Sequence, residues 1–341
     1  MRWIEQPRIK FPVLPDGAAS EARLLLVARG LRAFGDGLVS LILPVYLLTL
    51  GYGAFEAGVL ASATLAGSAL LTLIVGLTAH RASGRALLMG ASVVMLLTGV
   101  AFAASQEFWP LLLVAFVGTL NPSTGDVSVF LPLEQAQLAH LVSDRDRTRL
   151  FARYSFVGSS AAAVGALCAG FPEIVAGLAG LALRQALQTV FVLYAALGGV
   201  VLLLYARLPR TDSSSITPVP AHPLGPSRRI VLLLAALFSL DSFAGGFVVQ
   251  SLLALWLFER FGLSLATTGV IFFWAGVLSA LSYFAAAWIS ERMGLVNTMV
   301  FTHLPANVCL VLVPFAPTLW AAVALLLVRA ALSQMDVPTR T

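Results

Sequence analysis

Charge is what this chain has least of. Asp, Glu, Lys and Arg together make up 11% of its 341 residues, against about 25% in a soluble domain, which excludes an ordinary water-facing surface. Cysteine is nearly absent: Cys168 and Cys309 each stand alone inside an apolar stretch, so they read as small packing residues, and no disulfide framework or thiolate metal centre is encoded. Histidine is as sparse, and His80, His140, His222 and His303 have no metal-ligand spacing. No Ser-His-Asp order and no Gly-Lys-Ser/Thr phosphate loop occurs, which removes nucleophilic hydrolysis and ATP drive from consideration. No catalytic residue, metal or cofactor is expected, and the chain is not expected to be an enzyme.

What the chain has in excess is apolar length, 59% of its residues being hydrophobic. Ten apolar runs are separable, at about 24–50, 54–79, 85–105, 109–133, 154–171, 185–206, 230–256, 267–289, 297–315 and 318–336. Runs of roughly 18–25 residues suit membrane-spanning helices, whereas barrel strands are about ten residues long and alternate in polarity. The expected fold class is therefore all-α and polytopic, with the lipid bilayer as the main partner. The placement of Arg and Lys orients it. With the N-terminus cytoplasmic, sixteen basic residues lie inside and only Arg184 and Arg260 outside, as the positive-inside rule requires. The net charge of +5 is thus topological and implies no nucleic-acid partner. Residues 1–21 hold no cleavable apolar core and are read as a cytoplasmic tail. Oligomeric state is left open.

The chain repeats itself. Asp126 and Asp336 are 210 residues apart, Tyr46-Leu47 falls on Trp256-Leu257 at 210, Gly58-Val59 on Gly269-Val270 at 211, and His80-Arg81 on Glu291-Arg292 at 211. Between the copies, residues 207–229 are rich in Pro, Ser and flanking Arg and read as a flexible cytoplasmic linker. The expected organisation is a six-helix bundle over 22–206, the linker, and four helices over 230–341. Parallel repeats of this kind are one plan for transporters.

The loop after the second run reads Gly76-Leu-Thr-Ala-His80-Arg81-Ala-Ser-Gly84-Arg85, and its weaker copy reads Ala287-Trp288-Ile289-Ser290-Glu291-Arg292-Met293-Gly294. A Gly, an acid and basic residues around a second Gly resemble the cytoplasmic signature of the major facilitator superfamily. Here His80 replaces the usual Asp and one residue is inserted before Gly84, while Glu291 keeps an acid in the second copy. Segment five lacks the Gly-Pro step of the family's drug/proton antiporters, which makes that substrate class less favoured. The resemblance implies a two-bundle fold with alternating access and a central path lined by segments one, four, seven and ten. It also implies that helices eleven and twelve are missing, so the second copy is expected to be cut short, as in a fragment or a ten-helix variant.

Ionisable groups inside hydrocarbon are costly unless paired or hydrated, so each is a candidate. Arg32 and Asp36, four apart, share a helix face. Asp36 lies about 20 Å into its helix at 1.5 Å per residue and is flanked by Gly35 and Gly37. Two readings stay open: a protonatable or substrate-contacting group, or a permanent Arg32–Asp36 pair. By the resemblance, Asp241 in segment seven faces Asp36 across the path, with Gln250 further along; Trp256 reads as an interfacial anchor. Arg329 sits mid-helix in segment ten, cannot shed its charge, and needs a carboxylate or an anionic solute. The resemblance also implies cytoplasmic latches among His80, Arg81, Arg85 and Asp126, and among Glu291, Arg292 and Asp336. Asn121-Pro122 is expected to break segment four. The sum is a secondary active transporter of a small polar or anionic solute in an inner or plasma membrane, with the proton as candidate coupling ion. The alternative is a non-transporting membrane scaffold or an inactive fragment.

Overall fold

The computed structural model describes residues 16–78, 82–123, 127–142, 144–209, 228–245 and 248–335. Among these, all regular structure is helical. The helices are α1 (Asp16–Thr49), α2 (Ala54–Thr78), α3 (Gly84–Ala104), α4 (Phe108–Val117), α5 (Phe130–Leu141), α6 (Asp144–Leu167), α7 (Phe171–Ala179), α8 (Leu183–Ala206), α9 (Arg228–Gly245), α10 (Gln250–Phe261), α11 (Leu265–Met293), α12 (Leu295–Leu312) and α13 (Leu319–Ser333). Seven helical stretches are long and apolar enough to cross a membrane, and two shorter apolar helices, α4 and α13, accompany them.

Each of the ten apolar runs contains helix among the described residues, with four departures from expectation. The first helix begins at Asp16, inside the stretch read as a tail; an acid at a helix start is favoured by the macrodipole. The fifth run extends much further than 154–171. It begins as α6 at Asp144, passes through a short 3₁₀ turn at Cys168–Gly170 and continues as α7 to Ala179, because Pro172 at the start of α7 lacks only a donor that a helix start leaves unused. Runs four and seven are broken. In run four, Pro122 cannot donate to residue 118, and the chain leaves the helix at Gly118. The Asn121 side chain then takes over the turn, accepting from the Ser123 amide (3.1 Å) and hydroxyl (2.8 Å). In run seven the break follows Gly245. Arg228 and Arg229, read as the end of the linker, open α9, and residues 210–227 of that linker lie outside the described residues.

The internal repeat is visible in the helix starts. Ala54 and Leu265 open α2 and α11, Gly84 and Leu295 open α3 and α12, and Phe108 and Leu319 open α4 and α13, each pair 211 residues apart. The turn before the first pair is built twice on a glycine of positive φ, Gly51 at 87° and Gly262 at 63°, a conformation that favours glycine. The breaks depart from this symmetry. Helix α1 runs unbroken where its counterpart splits into α9 and α10, and α13 runs on to Ser333, five residues past the position that matches the end of α4 at Val117. The two breaks meet: the Pro122 carbonyl accepts from both the Ser251 amide (3.0 Å) and its hydroxyl (3.2 Å).

Packing before the linker centres on α1, which lies against α6 and α8, while α3 lies against α8 and α2 against α4. Small residues allow this closeness. A Cβ added at Gly37 would fall inside the envelope of the Ala162 carbonyl, and one at Gly165 inside that of Phe34. The Tyr46 ring packs on Phe191 at 5.0 Å and Phe102 on Phe191 at 5.2 Å, and the Tyr46 hydroxyl donates to the Ser105 carbonyl at 2.9 Å. Beyond the linker, α11 and α12 pack on α13. Helix α9 exposes leucines on every side, among them Leu233, Leu237 and Leu240. Helix α11 also lies along α6 and α10 along α1, joining the two parts.

Candidate functional site

Glu134 is the most tightly held charge among the described residues, and no reading of the sequence gave it a role. Its carboxylate is wholly buried and forms an ion pair with Arg32. The same carboxylate accepts hydrogen bonds from the Tyr154 and Tyr205 hydroxyls. Four elements therefore meet at one acid: Arg32 from α1, Glu134 from α5, Tyr154 from α6 and Tyr205 from α8. Arg32 also reaches the Ser128 hydroxyl at 3.4 Å and lies over the Phe130 ring at 4.1 Å. Its guanidinium is thus committed to the interior of the first part. Arg29, one turn earlier, lies 5.1 Å from the Tyr154 ring centre, and Gly158 leaves the space its guanidinium fills.

Two neighbouring cavities share part of their walls. The smaller, about 320 Å³ with its mouth included, is lined by Arg29, Asp36, Asn121, Ser123, Ser159 and Gln250, among others. The larger, about 720 Å³ with its mouth included, shares Ser159, Ala162 and Gln250 with the first and extends to Ser279, Arg329, Ser333 and Gln334. Its remaining wall is apolar: Ala163, Ala166, Leu253, Ile271, Phe272, Ala275 and Leu326. Asp36 accepts from the Tyr194 hydroxyl at 3.4 Å, and that hydroxyl also reaches the Thr119 carbonyl at 3.1 Å. Gln250 donates to the Ser40 hydroxyl at 2.8 Å. The Tyr283 hydroxyl lies 3.1 Å from Ser159 and donates to the Gln334 amide oxygen at 3.3 Å. Arg329 stands in the wall ten residues into α13, and no hydrogen bond or ion pair to it occurs among the described residues.

At one end the two parts touch backbone to backbone. A Cβ on Gly170 would lie 2.7 Å from the Ala266 Cα, one on Gly269 would lie 2.5 Å from the Ala166 carbonyl oxygen, and one on Gly276 would lie 2.6 Å from the Ala163 Cβ. Further along α11, the Tyr283 hydroxyl lies 3.1 Å from the Ser159 hydroxyl on α6.

Of the residues singled out from sequence, Asp36, Gln250 and Arg329 line these cavities. Arg32 does not; it is ion-paired with Glu134, a carboxylate presented from another helix. Asp241 lies in α9, but its side chain is not described, and the same holds for Glu291 in α11. His80, Arg81, Asp126 and Asp336 fall outside the described residues, so the latches are not placed. Arg292 is exposed at the end of α11. Arg85 donates to the Ala206 carbonyl at 2.6 Å, which binds it to the C-terminus of α8, where a cation is favoured. Trp256 packs edge-on against Phe261 at 5.5 Å. The signals for Glu134 were faint: the apolar run stops at Leu133, and an acid just beyond reads as exposed. The twelve residues between α4 and α5 draw the following helix inward.

Comparison with known proteins follows the same lines. A family model, that of the Major Facilitator Superfamily, matches residues 25–339. The uncharacterized membrane protein YJR124C of Saccharomyces cerevisiae is 26% identical over 358 residues, covering 95% of this chain and 80% of that protein. Among solved structures, the chain resembles a bacterial homolog of the human lysosomal transporter Spinster in an inward-facing, unoccupied conformation, with a TM-score of 0.68, 15% identity, and coverage of 97% of this chain and 75% of that one. It also resembles a partially occluded, inward-open conformation of the xylose transporter XylE from E. coli, with a TM-score of 0.69, 14% identity, and coverage of 96% and 84%. The nucleoside transporter NupG gives a TM-score of 0.65 at 14% identity, covering 94% and 80%. At these identities the structural likeness is one of fold.

Proposed function

The chain belongs to the Major Facilitator Superfamily, and on that premise we propose that it is a secondary active transporter that moves a small solute by alternating access. The observation that carries this reading is the pair of adjoining cavities walled by residues from both sides of the linker, on α1, α6, α10, α11 and α13. In this reading residues 22–206 form one bundle and residues 230–341 a second set of four segments, joined by the linker 207–229. The common offset of three helix starts supports that division. The state is inward-facing: the seam of Gly170, Gly269 and Gly276 closes the non-cytoplasmic end, and the cavity opens toward the basic loops. The inward-facing and inward-open conformations of the structural neighbours support this, as does the distribution of Arg and Lys. Asp36 is the proposed proton carrier, because its carboxylate borders the solute cavity while Glu134 is sealed away with Arg32. The remaining charged candidates, Arg81, Asp126, Arg292 and Asp336 at the loops, keep the roles the family resemblance implies.

Side-specific labelling tests the reading. With Cys168 and Cys309 replaced by Ser, a Ser333→Cys variant in sealed vesicles should react with an impermeant maleimide from the cytoplasmic face only. Adding Gly269→Trp, which cannot fit the seam, should move the reactivity to the opposite face. Equal labelling from both faces, or no change on adding the tryptophan, would overturn alternating access at this cavity.

A further inference from the structure

We infer that the cavity is built for a small amphipathic monoanion, a carboxylate on an apolar body, and that Arg329 holds its charge. This rests on the transporter reading and names the substrate class of the same cavity. Among the described side chains, the charged groups in the walls are few: Arg29 and Asp36 in the smaller chamber and Arg329 in the larger. Arg32 is not among them, since Glu134 takes its guanidinium. With Asp36 ionised, these three leave one positive charge over. A guanidinium does not deprotonate in a protein, and an uncompensated charge on a spanning helix is costly. A bound anion removes that cost, and does so only when it is present.

The surroundings of Arg329 fit such a ligand. Ser333, four residues on, shares its helix face and also lines the cavity, as does the Gln250 amide across from it. These can donate to the oxygens that the guanidinium's planar fork engages. The facing wall of Ala163, Ala166, Ile271, Phe272 and Leu326 offers an apolar body nothing but contact. A dianion such as a phosphate monoester would find one surplus positive charge, not two. A zwitterion would need a free carboxylate for its cation, but Asp36 already receives the Tyr194 hydroxyl and shares its chamber with Arg29.

The test uses the full chain, purified in detergent, and three isosteric probes: benzoate, benzamide and benzamidine. Benzoate at millimolar concentration should raise the thermal midpoint, while benzamide and benzamidine should leave it in place. Arg329→Gln should weaken the benzoate response about tenfold or more, the loss of one charge-assisted contact, and Arg329→Lys should keep part of it. Unliganded Arg329→Gln should melt no lower than wild type, because the substitution removes an uncompensated charge. A benzamidine response equal to that of benzoate, a benzoate response that survives Arg329→Gln, no benzoate response in wild type, or a lower midpoint for unliganded Arg329→Gln would each overturn the inference. The maleimide experiment keeps the two readings apart. If labelling alternates but benzoate is not bound, the transporter reading stands and the anion falls; if labelling does not alternate, the transporter reading falls whatever binds.

Discussion

Replacing Glu134 by Gln removes one charge and leaves the shape of the side chain, so its effect isolates the ion cluster. Glu134 is wholly buried and Arg32 is 1% exposed. Breaking a buried ion pair from one side costs about 3–5 kcal/mol, because the surviving charge stays in place without its mate. The Ser128 hydroxyl and the Phe130 ring continue to face Arg32, so the lower end, about 3 kcal/mol, is expected, a shift of about a hundredfold in the unfolding equilibrium. Tyr154→Phe and Tyr205→Phe each remove one hydrogen bond to a carboxylate and should cost about 1.5 kcal/mol apiece. Arg32→Met combined with Glu134→Gln removes both charges, and the double variant should be more stable than the sum of the singles predicts, by about 2 kcal/mol. Equilibrium unfolding in mixed micelles, followed by tryptophan fluorescence, reads all of these. A cost below about 1 kcal/mol for Glu134→Gln, or strict additivity in the double variant, would refute the reasoning.

Three further outcomes are expected. Tyr194→Phe removes the donor shared by Asp36 and the Thr119 carbonyl and should cost about 1 kcal/mol in the same unfolding assay. Gly37→Ala drives a methyl into the Ala162 carbonyl where α1 crosses α6; an overpacking penalty of about 1–3 kcal/mol is expected, seen as a lower melting midpoint. Asp36→Asn should abolish solute uptake driven by a pH gradient in proteoliposomes while solute exchange at equal pH continues; full gradient-driven uptake would remove Asp36 from coupling.

The parts of this structure that follow from local pattern were legible in the sequence. Apolar length marks the helices, the 211-residue offset anticipates the paired helix starts, and Asn121-Pro122 marks the break in segment four. What was not legible depends on partners from distant segments. Spacing put Asp36 on the same face as Arg32, yet the acid paired with Arg32 is Glu134, 102 residues away, and no periodicity links the two. The family resemblance implies a latch role for Arg85; its contact with the end of α8 depends on where that helix stops relative to α3, which no local pattern encodes. Tyr154 and Tyr205 carried no signal, since a tyrosine near a helix end serves equally as an interfacial anchor. The seam glycines were visible as small residues, but only the crossing of α6 and α11 shows which of them touch.

That seam bears on the speed of the molecule as well as its shape. Gly170, Gly269 and Gly276 meet Ala266, Ala166 and Ala163, residues with no χ angles to reset. A surface without side-chain knobs can part and re-form without a succession of rotamer hops, so internal friction adds little to the time of a tilt. Viscous drag from the surrounding lipid is then the larger resistance. The turnover of this protein should accordingly follow acyl-chain order, slowing in saturated bilayers and quickening in fluid ones, more steeply than that of a relative whose halves interlock through large side chains.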